Sequence, residues 1–331
     1  MIATVHAMAA EALSHPIVAV ASRTPARARQ LADRVGAPAV DYAAIPQGHE
    51  HIVVVSTPPY AHTEPTLHAL SRGSAVLVEK PLCTTLADAD RLVTAEAATP
   101  GRLLYAENLA YAPLIERLLT EAAHLGPATY IEARSLQARP QWGGFLTPEW
   151  GGGALFDLGA HPLALVVLLA RPATVTQVSA RLVMGTDYQT DEHADVELTF
   201  SDGGRGRVVA SWQAGPGPVW DVQKATETGV IRAEIFPHPI LEADGELIPL
   251  GPPSPSGPDD FVTDYGYVGQ LAALIETMEH GIRPLMDAGF GREILDITCA
   301  AYASARSGRP QAVPFTGSRD MSPWALWNEN V

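Results

Sequence analysis

Lysine is almost missing from this chain: among 331 residues only Lys80 and Lys224 carry it, and arginine supplies the rest of the fixed positive charge. Cysteine is equally scarce. Cys83 and Cys299 stand far apart and neither belongs to a CxxC pair, which excludes a disulfide framework and a cysteine-built zinc site and fits a reducing compartment. Basic clusters are lacking too. A net charge of -15 argues against nucleic acid or an anionic membrane as partner, because both need clustered Lys and Arg to neutralise phosphates. The longest apolar run, near Leu163 to Ala170, is too short to span a bilayer, and Met1 to Ser14 shows no basic leader or cleavage-like site. The expectation is a cytoplasmic protein with a small-molecule partner. With 47% hydrophobic and 18% charged residues, the chain is long enough for two cores.

The first third alternates helix and strand patterns. Ile2, Val5, Met8, Ala9, Ala12 and Leu13 recur at helical spacing until Pro16, and Ile17 to Ala21 reads as a short strand. Thr24 and Pro25 start a helix that Gly36 stops near Val35. Ile52 to Val55 is a β-branched strand, Thr63 to Arg72 a helix, Ala75 to Val78 a buried strand, Leu86 to Ala98 a helix and Leu103 to Ala106 another strand. This order implies a doubly wound parallel sheet over residues 1–109.

A helix over Leu114 to Ala123 leads into a different texture. Strand-like runs at Thr129 to Ser135, Thr174 to Val183, Ala194 to Phe200, Gly206 to Trp212 and Gly229 to Ile235 imply a mostly antiparallel sheet over residues 110–331. One apolar helix from about Ala154 to Leu169 interrupts it, two more over Phe261 to His280 and Ala288 to Ser307 close the chain, and Pro and Gly cluster over Gly251 to Pro258. The fold class expected is α/β followed by α+β.

A glycine-rich turn is the absence with the largest consequence. A Rossmann-type domain opens on a strand and such a turn, with a ribose-reading residue about 20 positions later. Here that later position is Ser22-Arg23, and counting back places the last glycine at or just before Met1. The first strand and phosphate loop are therefore expected to be missing from the sequence, as a misassigned start codon would produce, with weak dinucleotide binding as the result. Ser22-Arg23 holds no acid for a ribose 2′-hydroxyl but does offer a guanidinium for a 2′-phosphate, which favours NADP, with NAD possible.

Two motifs carry chemistry. Glu79-Lys80-Pro81 places a rare ammonium at the carboxyl end of a strand, where open parallel sheets put their ligands. Gly151-Gly152-Gly153 leads to Asp157 and His161, four apart, so that on one helix a carboxylate would raise the imidazole pKa and fix its tautomer as suits a general base. The glycines allow backbone to approach a ligand closely. The same pair with His49 or His51 lacks a recognised ligand spacing, so no metal is expected. Trp142, Trp150, Trp212 and Trp220 read as core or interface and receive no role.

These motifs, with Ser56-Thr57-Pro58-Pro59 followed by His62 and the closing Ala301 to Ala305 segment, resemble the glucose-fructose oxidoreductase, inositol dehydrogenase and rhizopine-catabolism (Gfo/Idh/MocA) family over nearly the whole chain from Ile2. The resemblance implies a nicotinamide-dependent oxidoreductase with a Rossmann domain and an open-faced sheet domain that mediates homo-oligomer contacts. It implies that Lys80 contacts the substrate hydroxyl and the cofactor, that Asp157 orients and balances charge, and that His161 accepts the proton. Thr57, Pro58 and His62 would line the cofactor path, Glu79 would lie near the nicotinamide ribose, and Asn108 would join the cofactor contacts. Glu107 to Tyr111 departs from the family stretch where Ala110 replaces a common arginine, which alters a substrate or cofactor contact. The substrate expected is small and polar, with a sugar-like molecule in view. The alternative is a non-catalytic binding or regulatory relative that has lost dinucleotide binding.

Overall fold

Burial decides the centre of the first domain. The computed structural model describes residues 2–141, 143–215, 217–250, 260–281 and 283–328, so the Gly251 to Pro258 cluster, Trp142 and Met1 lie outside the described residues. Helices α1 (Ile2–Ala12) and α2 (Pro25–Val35) precede β1 (Ile52–Val55), α3 (Thr63–Ser71), β2 (Ala75–Glu79), α4 (Leu86–Ala98) and β3 (Leu103–Ala106). β2 lies between β1 and β3, parallel to both, and every one of its residues is buried. Each of Val76, Leu77 and Val78 contributes about 1.5–3 kcal/mol by leaving water. Local chemistry sets the helix ends. Pro25 opens α2 and Gly36, at φ 68°, closes it; Thr85 caps α4 by accepting the Asp88 N–H.

One expected strand does not form. Ile17 to Ala21 makes only an isolated parallel bridge, Val20 with Ala39, and Val18 is 49% exposed. A short β-branched run needs hydrogen-bonded neighbours to become a ladder, and among the described residues none pairs with its other side. The outer edge of β1 is likewise unpaired there: β1 pairs with β2 alone, and Val54 is 37% exposed.

The second domain is built on one large sheet. After α5 (Pro113–Ala122) come β4 (Tyr130–Leu136), α6 (Ala154–Asp157), α7 (Ala160–Ala170), β5 (Val175–Met184), β6 (Asp191–Phe200), β7 (Arg205–Ser211), β8 (Val219–Ala225), β9 (Val230–Phe236), β10 (Ile240–Ala243) and β11 (Glu246–Leu247). Helices α8 (Phe261–Asp264), α9 (Tyr267–His280) and α10 (Ala288–Ser307), strand β12 (Gln311–Ala312) and α11 (Pro323–Asn328) follow. The nine strands run β11-β10-β9-β8-β4-β7-β6-β5-β12, and only β4 and β7 are parallel neighbours. Strands β8, β10, β11 and β12 were not expected; they are short or carry mixed polar patterns. Helix α7 is apolar apart from His161 and wholly buried between the sheet and its neighbours, as a helix hydrophobic on nearly every side must be.

Two helices expected to be continuous are broken. Ala154 to Leu169 splits at Leu158-Gly159. Pro162 has no N–H to give to the Leu158 carbonyl, so a second helix starts where the first stops. Phe261 to His280 splits at Tyr265-Gly266, where Gly266 takes φ 79° and a Cβ would lie 2.1 Å from the Asn108 carbonyl oxygen.

Candidate active site

The carboxyl ends of β2 and β3 meet the α6–α7 break, and three acid–base pairs gather there, all buried except for the half-buried Lys80. Lys80 follows β2 directly. Its ammonium donates to Asp157 Oδ1 at 2.8 Å and to the Asp157 backbone oxygen at 3.0 Å, across 77 positions of sequence. Burial works against the Lys80 charge, but Asp157, Glu79 and Glu107 outweigh it and hold the pKa above the ordinary lysine value. Asp157 ends α6, a helix of four residues.

His161 begins the next helix, and its carboxylate partner is Glu107. The two groups lie 2.6 Å apart at Nδ1 and Oε1, both buried. The expectation that Asp157 fixes this imidazole is therefore corrected: the helix break separates the two residues, Asp157 turns to Lys80, and Glu107 arrives from just past β3. The sequence did hold a signal for Glu107, since it sits at a strand end as Lys80 does. Glu107 Oε2 is buried with no partner among the described residues. The ring of Trp220, given no role above, lies 5.2 Å from that of His161.

Glu79 is the third acid. Its Oε1 lies 2.7 Å from His6 Nε2 of α1, and its Oε2 accepts the Lys80 backbone N–H at 3.0 Å. Burial pushes its pKa up, and His6 together with Lys80 more than reverses the push, leaving it below the usual glutamate value. His6 was not anticipated, because a lone histidine on a helix face carries no signature.

The remaining cofactor candidates fall into two groups. Beneath the site, His62 is 1% exposed, with Nε2 2.7 Å from the Thr57 carbonyl and Nδ1 2.9 Å from that of Pro81. It ties the turn after β1 to the turn after β2. Burial lowers its pKa against the pull of those carbonyls. Thr57 bonds the Ala61 carbonyl, Pro58 precedes the same turn half-buried, and buried Asn108 donates to the Tyr265 carbonyl at 2.6 Å. Near the surface, exposed Arg23 donates to the Tyr60 hydroxyl at 2.8 Å and lies over that ring, while Ser22 accepts from the Thr24 N–H. Tyr60 borders an open groove of about 620 Å³ shared with Thr147, Glu149 and Trp150.

The glycine run serves the protein interior. Gly151, Gly152 and Gly153 are all buried, and Cβ atoms at 152 and 153 would meet the Tyr302 hydroxyl at 2.8 Å and the Asp191 carbonyl at 2.2 Å. The run approaches β6 and α10 closely. Among the described residues no group of three or more His, Cys, Asp or Glu side chains is arranged to hold a metal.

A dinucleotide fits the two ends of this arrangement. An exposed guanidinium beside a phenol suits the ribose end, and an ammonium with an orphaned buried carboxylate oxygen nearby suits the reacting end.

Comparison with known proteins bears on the fold and on the cofactor class. A family described as oxidoreductases with an NAD-binding Rossmann fold matches residues 1–107, and the GFO/IDH/MocA C-terminal domain matches residues 117–234. A putative UDP-kanosamine synthase oxidoreductase subunit from Amycolatopsis mediterranei is 30% identical, over 90% of this chain and 91% of its own length. A D-xylose 1-dehydrogenase (NADP(+)) from Haloferax volcanii is 25% identical over 91% and 93%. The solved structure of GenD2 from gentamicin A biosynthesis, in complex with NAD, superposes with a TM-score of 0.82 at 24% identity, covering 95% of this chain and 93% of that one.

Proposed function

The chain belongs to the Gfo/Idh/MocA family of NAD-binding oxidoreductases, and from that premise we propose that it moves a hydride between a nicotinamide and a hydroxyl-bearing or carbonyl carbon of a sugar. The observation that carries this reading is the Lys80–Asp157 contact at 2.8 Å beside the His161–Glu107 pair. A bound nicotinamide supplies or accepts the hydride; the proton is the business of the side chains. With Glu107 ionised, the proton on His161 sits at Nδ1, and Nε2 presents a lone pair that takes a hydroxyl proton. The Lys80 ammonium, kept charged by Asp157, donates to the same substrate oxygen and steadies its developing charge. Ser22 and Arg23 hold the ribose end, with the guanidinium favouring a 2′-phosphate and hence NADP. Thr57 and Pro58 border the cofactor path, His62 shapes it from beneath, and Glu79 and Asn108 stand at the nicotinamide end. Sugars enter the proposal through the relatives, which are named for UDP-kanosamine synthesis and D-xylose oxidation.

Turnover read by nicotinamide absorbance against a panel of sugars and sugar nucleotides tests this. Lys80→Ala and His161→Ala are each expected to cost about 10²- to 10⁴-fold in kcat while remaining folded. Full turnover in both variants sinks the mechanism. Among the described residues the outer edge of β1 is unpaired, which favours a second reading, a cofactor-weak binding or regulatory relative. Fluorescence titration with NADPH separates the two, because tight binding contradicts the second.

A further inference from the structure

Asp157 holds the Lys80 ammonium, yet it ends a helix of a single turn, which has no stability of its own. Its seat is made by two distant residues. The carboxylate of Asp191, the first residue of β6 and fully buried, accepts the Gly153 N–H at 2.9 Å on Oδ1 and the Leu155 N–H at 2.8 Å on Oδ2. The hydroxyl of Tyr302, fully buried on α10, donates to the same Oδ1 and accepts the Gly153 N–H at 3.2 Å. These N–H groups open α6, where negative charge is favoured. The clasp is tight: a Cβ at position 153 would stand 2.6 Å from the Asp191 nitrogen as well as 2.2 Å from its carbonyl oxygen.

We propose that Asp191, backed by Tyr302, is a positioning residue for Lys80: it fixes the first turn of α6 so that Oδ1 and the backbone oxygen of Asp157 reach the ammonium. The catalytic consequence rests on the oxidoreductase reading, whereas the geometric claim stands apart from it. In an Asp191→Asn variant an amide NH₂ opposes either the Leu155 N–H or the Gly153–Tyr302 pair, so a donor faces donors and α6 loses its seat.

The scarcity of lysine makes the test direct. Lysine labelled with the heavy nitrogen isotope gives two ammonium signals, one from Lys80 and one from Lys224, whose Nζ donates to the Ala122 carbonyl at the end of α5. Proton exchange of each ammonium is followed by NMR in mildly acidic buffer, with Asp157→Asn as the reference for full release. Asp191→Asn and Tyr302→Phe are expected to speed Lys80 exchange about tenfold or more, as loss of a charge-assisted hydrogen bond implies, with Lys224 unchanged. Wild-type Lys80 exchange in a folded Asp191→Asn protein overturns the proposal. Where that variant does not fold, Tyr302→Phe, which keeps the carboxylate, decides by the same criterion. Failure of the oxidoreductase reading shows separately, as a wild-type protein that turns over no nicotinamide against the sugar panel whatever its Lys80 exchange rate.

Discussion

Glu107 decides which nitrogen of His161 can work. A buried carboxylate 2.6 Å from Nδ1 selects the tautomer whose Nε2 is free, so a neutral amide in its place removes that selection. Glu107→Gln is expected to lower kcat about 10²-fold with KM nearly unchanged; an equal fall in 1/KM instead would make Glu107 a binding residue. At the other end of the cleft Arg23 stands exposed beside Tyr60. Arg23→Ser is expected to raise KM for NADPH about tenfold while leaving that for NADH in place, because only the phosphate offers the guanidinium a charge-assisted partner. Equal effects on both cofactors refute the NADP preference. Lys80 was legible in the sequence because a lone ammonium at a strand end is rare. Asp191 was not, because nothing in its neighbourhood of sequence points to Gly153 or Tyr302, 38 and 111 positions away.

At the scale of elements, the contact between α4 and α10 carries a proton-sensitive joint. Glu96 of α4 is 4% exposed, accepts the Ala288 N–H at 3.0 Å and leaves Oε1 without a partner among the described residues. Burial, with Asp287 adding repulsion, pushes its pKa up to about 7. A carboxyl whose folded pKa lies above its unfolded one binds more protons in the native state, so stability falls as pH rises from about 4.5 to about 7 and stays reduced above that. The full penalty is about 3 kcal/mol, from 1.36 kcal/mol per pKa unit. Glu96→Gln is expected to raise Tm at mildly alkaline pH and to leave it nearly unchanged in acid; thermal melts at the two extremes check this, and an identical difference at both sets the idea aside. The α6–α7 break shows the same local-versus-distant division. Pro162 announced a possible interruption in the chain itself, whereas the direction Asp157 takes after it depends on β6 and α10.

For the whole molecule, the nine-stranded sheet has helices α5, α7 and α10 against one face, while on the other Arg134 of β4 pairs with Asp221 and Arg207 of β7 with Glu132 and Asp195 across strands. We expect this ordered face to meet a second copy of the chain, and sedimentation equilibrium showing a monomer at working concentration refutes the expectation; among the described residues no single helix is long and apolar enough to cross a membrane. The order of β1 to β3 and the antiparallel texture that follows were written in hydrophobic periodicity, which is local, and so was the strand-end position of Lys80. The strand expected at Ile17 to Ala21 was not decided locally, since a strand exists only through its neighbours. The same reason governs the site. The chain by itself determined which residue types stand at the ends of β2, β3 and α6, but the pairings Lys80 with Asp157, His161 with Glu107 and Glu79 with His6 span 54 to 77 positions. Only tertiary packing, within the first domain for Glu79 and His6 and between the domains for the other two pairs, brings such groups within hydrogen-bonding distance, because the bond needs about 3 Å and the sequence encodes no distance between remote residues.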